Sequence, residues 1–180
     1  MELLRTPRLV LRGWVEADAP AFLDIYSREE VVRWRGPQPR RAVATPEEAL
    51  EWIRRGHERQ AGLEPPMGLW AIVLLERRDP IGTVLLMPLA DADGSTDRVE
   101  IGWHLHPDEQ GRGYATEAAQ ALLDRAAAAG IDAVLALIDL DNEPSQRVAR
   151  RLGMEDEGVT SRWFAITTRQ YRKALAPAPD

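Results

Sequence analysis

The sequence predicts an α+β fold: a mixed, twisted sheet with helices on both faces. Three observations predict it. Leu69–Leu75 and Ile81–Met87 are apolar runs separated by Glu76-Arg77-Arg78-Asp79-Pro80, the pattern of an antiparallel hairpin. From Val99 to Ile138 the chain reads as strand, loop, helix and strand, an order that gives a parallel crossover. Helical patterns also cover Ala17–Tyr26, Pro46 to about Gln60, and Ser145–Leu152. No repeat or linker divides the chain, so residues 1–180 are expected to form one domain.

Each element has a local reason. Leu9, Val10 and Leu11, flanked by Arg8 and Arg12, predict a short first strand that Gly13 ends. In the next helix, Asp18 precedes Pro20, and Phe22, Leu23, Ile25 and Tyr26 supply the apolar content. Residues 27–44 hold five arginines with Gly36, Pro37 and Pro39, and predict a short helical piece followed by an irregular loop. Thr45-Pro46-Glu47-Glu48 is a helix-start signature: Thr45 can cap, Pro46 fits the first turn, and Glu48 can close a capping box. That helix turns Ala49, Trp52 and Ile53 inward, and Gly62 with Pro65-Pro66 forces a loop after it. Asp91-Ala92-Asp93-Gly94-Ser95 reads as a turn leading to a strand from near Val99. Ala115–Ala129 has high helix propensity, stops at Gly130, and carries alanines that allow close approach to a sheet. Ala133–Ile138 is continuously apolar, as expected of a strand covered on both faces. Strand-like segments near Gly158–Arg162 and Trp163–Thr168, then a frayed Ala-Pro end, complete the reading.

Composition narrows the function. A net charge of -6 and a pI near 5.2 argue against a nucleic-acid partner held by bulk electrostatics. No run approaches the roughly 20 apolar residues of a membrane span, and the start, MELLRTPRL, lacks a signal-peptide apolar segment. A cytoplasmic protein with no membrane partner is expected. The chain has no cysteine, which removes disulfides, Cys-based zinc sites and any acyl-cysteine intermediate. His104-Leu105-His106 resembles a metal pair, but with no further histidine and no cysteine nearby no metal is expected.

Gln110-Gly111-Arg112-Gly113-Tyr114-Ala115 is the main chemical signal. A glycine loop opening a helix offers free N–H groups and the positive end of a dipole to a phosphate. The nucleotide P-loop is excluded because no Gly-Lys pair occurs, and the dinucleotide fingerprint because Thr116 stands where its third glycine belongs. From Val99 to Met154 the chain instead resembles the GCN5-related N-acetyltransferases (GNAT). Their motif [QR]-x-x-G-x-[GA] is carried here by Gln110, Gly113 and Ala115. Three further segments are similar to the ribosomal-protein N-acetyltransferase (RimJ/RimL-type) branch: Thr6-Pro7-Arg8-Leu9-Val10-Leu11-Arg12, Glu100-Ile101-Gly102-Trp103, and Asn142-Glu143-Pro144-Ser145 with Arg151-Leu152-Gly153-Met154.

The resemblance implies a GNAT-type sheet whose splayed central parallel pair holds acetyl-CoA as co-substrate. It places the pyrophosphate on the N–H groups of Gly111, Arg112, Gly113, Tyr114, Ala115 and Thr116. The pantetheine arm would run along Trp103, His104 and Leu105, with Asn142 and Ser145 also at the cofactor. Arg112 offers either a charge-assisted contact or a solvated loop cation. The implied reaction is acetylation of a primary amine, on a protein or peptide N-terminus or a small molecule, by direct attack in a ternary complex. A homodimer is compatible with the sequence.

The acid and base are less defined. Where many GNATs place a tyrosine, seven residues after the asparagine, this chain has Ala149. Ser145 is the substitute proton donor, or simply a helix-start residue. Ala149 also leaves open the alternative of a non-catalytic acyl-CoA-binding or sensing module. Glu100 matches the family's glutamate, and strand alternation puts Glu100, Gly102 and His104 on one face, so Glu100 and His104 are the candidate bases. Trp34, Trp52 and Trp70 lie where the family builds its acceptor site, and are read as pocket walls or core. Arg33, Arg35, Arg40 and Arg41 either attract an acidic acceptor or are solvated.

Overall fold

The structure is a computed structural model that describes residues 2–36, 39–164 and 166–175. The Ala-Pro end and Pro37 of the arginine-rich loop lie outside the described residues. The strands are β1 (Glu2–Arg5), β2 (Leu9–Gly13), β3 (Gly68–Leu74), β4 (Pro80–Asp91), β5 (Gly94–Leu105), β6 (Ala133–Ile138), β7 (Glu155–Thr160) and β8 (Thr168–Ala174). The helices are α1 (Ala19–Tyr26), α2 (Glu29–Val32), α3 (Pro46–Gln60), α4 (Tyr114–Ala128) and α5 (Glu143–Arg151). Eight strands form one sheet in the order β1-β2-β3-β4-β5-β6-β8-β7. Every neighbouring pair is antiparallel except β5 and β6, which are parallel and joined at a single register point, Glu100↔Leu135. The mixed sheet and the splayed parallel pair expected from the sequence are both present.

Strand alternation sorts the core onto two faces. Leu9, Leu11, Ile72, Leu86 and Ile101 pack with Leu122 and Leu123 of α4 and with Ala149 of α5. Ala71 and Val73 pack the opposite way, with Phe22, Ile25 and Tyr26 of α1 and Ala49 and Ile53 of α3. Ala115, Ala118, Ala119 and Ala126 are buried on α4, so their small side chains set its close approach to the sheet. The α3 start follows its signature with one shift. Thr45 Oγ1 accepts from Glu48 N at 3.2 Å, while Glu48 reaches Ala44 N at 2.8 Å, one residue earlier than in a capping box.

Three differences from the sequence reading have physical reasons. β1 is a four-residue edge strand, too short to show a period. β5 begins at Gly94 rather than near Val99, because the Asp91↔Gly94 pair tightens the turn and polar residues extend the ladder, with Thr96 Oγ1 donating to the Leu89 carbonyl at 2.8 Å. Of the strand expected over Trp163–Thr168, Trp163, Phe164, Ile166 and Thr167 lie outside any strand, and Thr168 opens the last strand, the polar segment Thr168–Ala174. Trp163 is buried for another purpose: it packs with Leu89 and Leu135 and donates Nε1–H to Gln170 Oε1 at 2.7 Å. β8 is bonded on both sides, to β6 and β7, so it needs only Thr168 and Tyr171 facing inward.

The opening segment fastens β2 to the start of α4. Glu117 accepts from Thr6 Oγ1 (2.6 Å), Arg8 N (3.0 Å) and Arg8 Nε (2.6 Å). Arg8 also donates to the Arg112 carbonyl at 3.0 Å and lies over the Tyr114 ring. Burial raises the Glu117 carboxyl, but the bonds from Thr6 and Arg8 outweigh it and hold the group below its ordinary value. Its stabilisation is therefore full above the unfolded carboxylate range and lost as pH falls through the lowered folded value. Glu117→Gln is expected to cost about 2 kcal/mol at pH 7, as loss of charge-assisted hydrogen bonds does. In urea unfolding, the gap from wild type should close toward pH 3.

Candidate active site

The glycine loop adopts the conformation its composition permits. Gly111 and Gly113 have φ of 75° and 82°, the left-handed region that favours glycine. A Cβ at Gly113 would meet the Arg8 guanidinium only at an ordinary contact distance of 3.4 Å, so the backbone angle rather than crowding calls for glycine there. The N–H groups of Tyr114, Ala115 and Thr116 precede the first bond of the helix ladder, which Glu117 N donates to the Gly113 carbonyl at 3.0 Å. Thr116 Oγ1 is buried with no hydrogen-bond partner among the described residues. The Arg112 carbonyl, one turn back, already accepts from Arg8. An unmatched hydroxyl beside open N–H groups fits an anionic group such as a pyrophosphate. Gln110 braces the loop by donating Nε2–H to the Leu105 carbonyl at 3.2 Å. Arg112 leans away, 3.4 Å from Glu109, and does not line the cavity described next.

A cavity of about 600 Å³ runs from this loop, past the splayed strands, to the helices on the other face of the sheet. Trp103, His104, Leu105, Gly111, Gly113 and Thr116 line it, as do Asn142 and Ser145. β5 presents Glu100, Gly102 and His104 toward α1 and α3, while Val99, Ile101 and Leu105 belong to the core under α4. Asn142 caps α5 by accepting from Ser145 N at 3.3 Å. Because Asn142 does the capping, the Ser145 hydroxyl has no partner among the described residues and remains available to the cavity. Ala149 is fully buried in the core below α4 and does not reach the cavity.

Electrostatics separates the two candidate bases. Burial raises the Glu100 carboxyl to about 7. The carboxyl lines the cavity yet is enclosed by protein, so it touches the site without full hydration. Burial, and then the charge of Arg35, lower His104 to about 3. His104 is therefore neutral and weakly basic near neutrality. Its Nδ1 lies 3.4 Å from the Tyr26 hydroxyl, which is bonded to Thr83 Oγ1 at 2.6 Å. His106 does not join it, since its Nε2 lies 3.4 Å from Asp24. Among the described residues no three His, Cys, Asp or Glu side chains gather to hold a metal, and no helix is long and apolar enough to cross a membrane.

Of the tryptophans expected near an acceptor, Trp34 and Trp52 line the cavity. Trp70 is core, with Nε1–H donated to the Pro66 carbonyl at 2.9 Å. Trp14, Phe22 and Tyr26 also line the cavity and were legible only as apolar residues. The Phe22–Tyr26 spacing of four residues was the available signal, since it stacks two rings on one helical face. Arg35 sits among these rings, 4.2 Å from Trp52 and 4.4 Å from Tyr26. Arg40 spans the cleft to Asp139 at the end of β6, at 2.9 and 3.1 Å.

A sheet splayed at one parallel pair, with a phosphate-ready helix start beside the gap, defines an acyl-coenzyme A transferase fold. The chain belongs to the GNAT acetyltransferase family, whose Acetyltransferase (GNAT) domain model matches residues 8–155. It is 26% identical to the uncharacterized N-acetyltransferase YoaA of Bacillus subtilis (strain 168), over 90% of this chain and 88% of the relative. The acetyltransferase structure from Agrobacterium tumefaciens strain C58 matches with a TM-score of 0.74 and 26% identity, over 96% of this chain and 94% of the other. RimL, a ribosomal L7/L12 α-N-protein acetyltransferase solved with coenzyme A, has the same fold. Its TM-score is 0.79 at 18% identity, covering 99% of this chain and all of that one.

The Glu100 environment makes a stability prediction. Its folded pKa of about 7 lies above the ordinary 4.5, so its stabilising contribution is full below about 4.5 and lost as pH rises through 7. Glu100→Gln should melt at a higher temperature than wild type at pH 8, and the difference should vanish toward pH 4. Calorimetry across that range measures it; parallel curves would show that Glu100 is not desolvated.

Proposed function

We propose that the whole chain acts as one N-acetyltransferase domain that moves the acetyl group of acetyl-CoA to a primary amine, with Glu100 as general base and Ser145 as proton donor. The observation that carries this reading is the single cavity that connects the α4 loop to the raised carboxyl of Glu100. Charge supports it. The chain is acidic overall, yet two arginines of α5, Arg147 and Arg151, and no carboxylate of that helix line the cavity beside Asn142 and Ser145. That excess suits an anionic cofactor.

Acetyl-CoA supplies the acetyl thioester. The loop and first turn of α4 bind its pyrophosphate through backbone N–H groups, and Thr116 adds its unmatched hydroxyl. The inner edge of β5 at Trp103–Leu105 orients the arm, because β6 has diverged and no longer pairs there. Glu100 takes the proton from the acceptor's ammonium, directly or through one water. The nitrogen then forms its bond to the acetyl carbon as the carbon–sulfur bond breaks; Ser145 Oγ–H gives its proton to the departing sulfur and regains one from the nitrogen, which thereby becomes the neutral amide. No cysteine is available for a covalent relay. The rate gain comes chiefly from holding amine and thioester together and from backbone polarisation of the carbonyl.

Acetyl-CoA at a hundredfold excess over its dissociation constant should stabilise the protein by about 2.7 kcal/mol, read as a thermal shift. No shift at saturation would refute the reading. Activity requires ionised Glu100, so kcat/KM, followed by thiol release, should rise with pH through an inflection near 7. Glu100→Gln should lower it by about 10²–10⁴-fold and remove that inflection. Ser145→Ala should reduce kcat with little change in the thermal shift.

A further inference from the structure

The acceptor end of the cavity holds a cation with no counter-ion. The Arg35 guanidinium lines the cavity, stacked between Trp52 and Tyr26 and 5.9 Å from the Phe22 ring. Among the described residues neither a carboxylate nor a hydrogen-bond acceptor is paired with it. Of the other arginines of this loop, Arg40 is held by Asp139 and Arg41 by Glu48, while Arg33, over the Trp34 ring, is exposed and does not line the cavity. A second cation makes the imbalance worse. Arg59, about two α3 turns beyond Trp52, lies 5.8 Å from the same ring, also with no acid paired to it among the described residues. Burial lowers the Arg35 guanidinium, with Tyr26 acting the other way and the Arg59 charge adding to the lowering. Glu30 of α2 lines the same cavity but makes no ion pair with Arg35.

Two unpaired arginines on one indole ring repel each other, and the inner one has given up part of its hydration. A cation costs free energy in that position unless something anionic completes it. A guanidinium engaged through its faces by aromatic rings keeps its N–H edge for hydrogen bonding, the edge that matches a carboxylate bidentately. Gly102, between Glu100 and His104 on that strand face, leaves room for the Leu85 side chain, which a Cβ there would meet at 3.3 Å.

We propose that the acceptor is a small amine that also carries a carboxylate, an amino acid or a close analogue, whose carboxylate binds Arg35 with Arg59 at the rim while its amine is delivered to Glu100. This rests on the acetyltransferase reading above and specifies its acceptor. The single negative charge of that carboxylate would offset Arg35 and so lessen its repulsion with Arg59. A protein N-terminus would place no such group near its own amine unless an acidic side chain followed it.

The test is thiol release with acetyl-CoA across L-α-amino acids and ω-amino acids, each compared with its carboxamide, and across short peptides with neutral side chains. The free acids should exceed their amides in kcat/KM by at least tenfold. Arg35→Gln should erase that preference through KM, and Arg35→Lys should restore part of it. The acetyl-CoA thermal shift should be unchanged in both variants, which also reports that they are folded. Amides or peptides turned over as well as the acids by the wild type would overturn the proposal and leave the acetyltransferase reading intact. A loss in Arg35→Gln equal for acids and amides would likewise overturn it. No acetylation of any amine would overturn both.

Discussion

The structure depends on one broken ladder. β5 stays paired with β4 as far as Leu105↔Gly82, and β6 stays paired with β8 as far as Ile138↔Arg169. Between them only Glu100↔Leu135 is joined. Each strand therefore keeps its outer partner while its inner edge opens. Buried backbone N–H and C=O groups are seldom left unmatched in folded proteins. An opened edge inside a sheet is thus a demand for an extended ligand with amides of its own, and the pantetheine arm of coenzyme A has that chemistry. The cavity follows directly from the splay, and α4 starts at its end because the chain leaves β5 through the glycine loop and the helix packs back on β5 and β4.

Alternation on β5 then gives one strand two roles. Val99, Ile101 and Leu105 anchor it to α4, and the intervening Glu100, Gly102 and His104 face α1 and α3. A shift of one residue would exchange these sets and place a carboxylate under α4. The β4–β5 ladder, long and antiparallel, holds this register, and Tyr26 adds a fixed point by bonding Thr83 beside His104. The positions of the candidate base and its neutral neighbour are thus set by the sheet rather than by a loop.

How much of this the sequence revealed depended on whether the cause was local. The loop at Gly111 and Gly113, the α3 start at Thr45 and the stop at Gly130 rest on backbone conformation and capping within a few residues, and all were readable. The tail was misread because Trp163 and Ile166 make an apolar segment, whereas β8 is polar and owes its place to neighbours on both sides. Asn142 was readable as a site residue, but its cap on α5, which leaves Ser145 free, emerged only from geometry. Arg35 was one of four loop arginines alike in sequence. What distinguishes it is the meeting of α1 and α3 around its side chain, an arrangement made by tertiary packing.

The same division separates the two ends of the cavity. The end near α4 is built mostly from backbone: N–H groups, glycine conformations and an unpaired strand edge. Such a site constrains few side chains beyond small size, so it is written in short motifs and tolerates change elsewhere. The end under α1 and α3 is built from side chains, with Trp14, Phe22, Tyr26, Arg35 and Trp52 contributed by separate segments of the first half of the chain. Its chemistry changes with any one of them, and no backbone requirement fixes their identity. A fold of this design can keep one donor and be refitted to many acceptors. That is why likeness in fold to RimL identifies the scaffold, while the acceptor has to be inferred from the charge and ring arrangement of this chain alone.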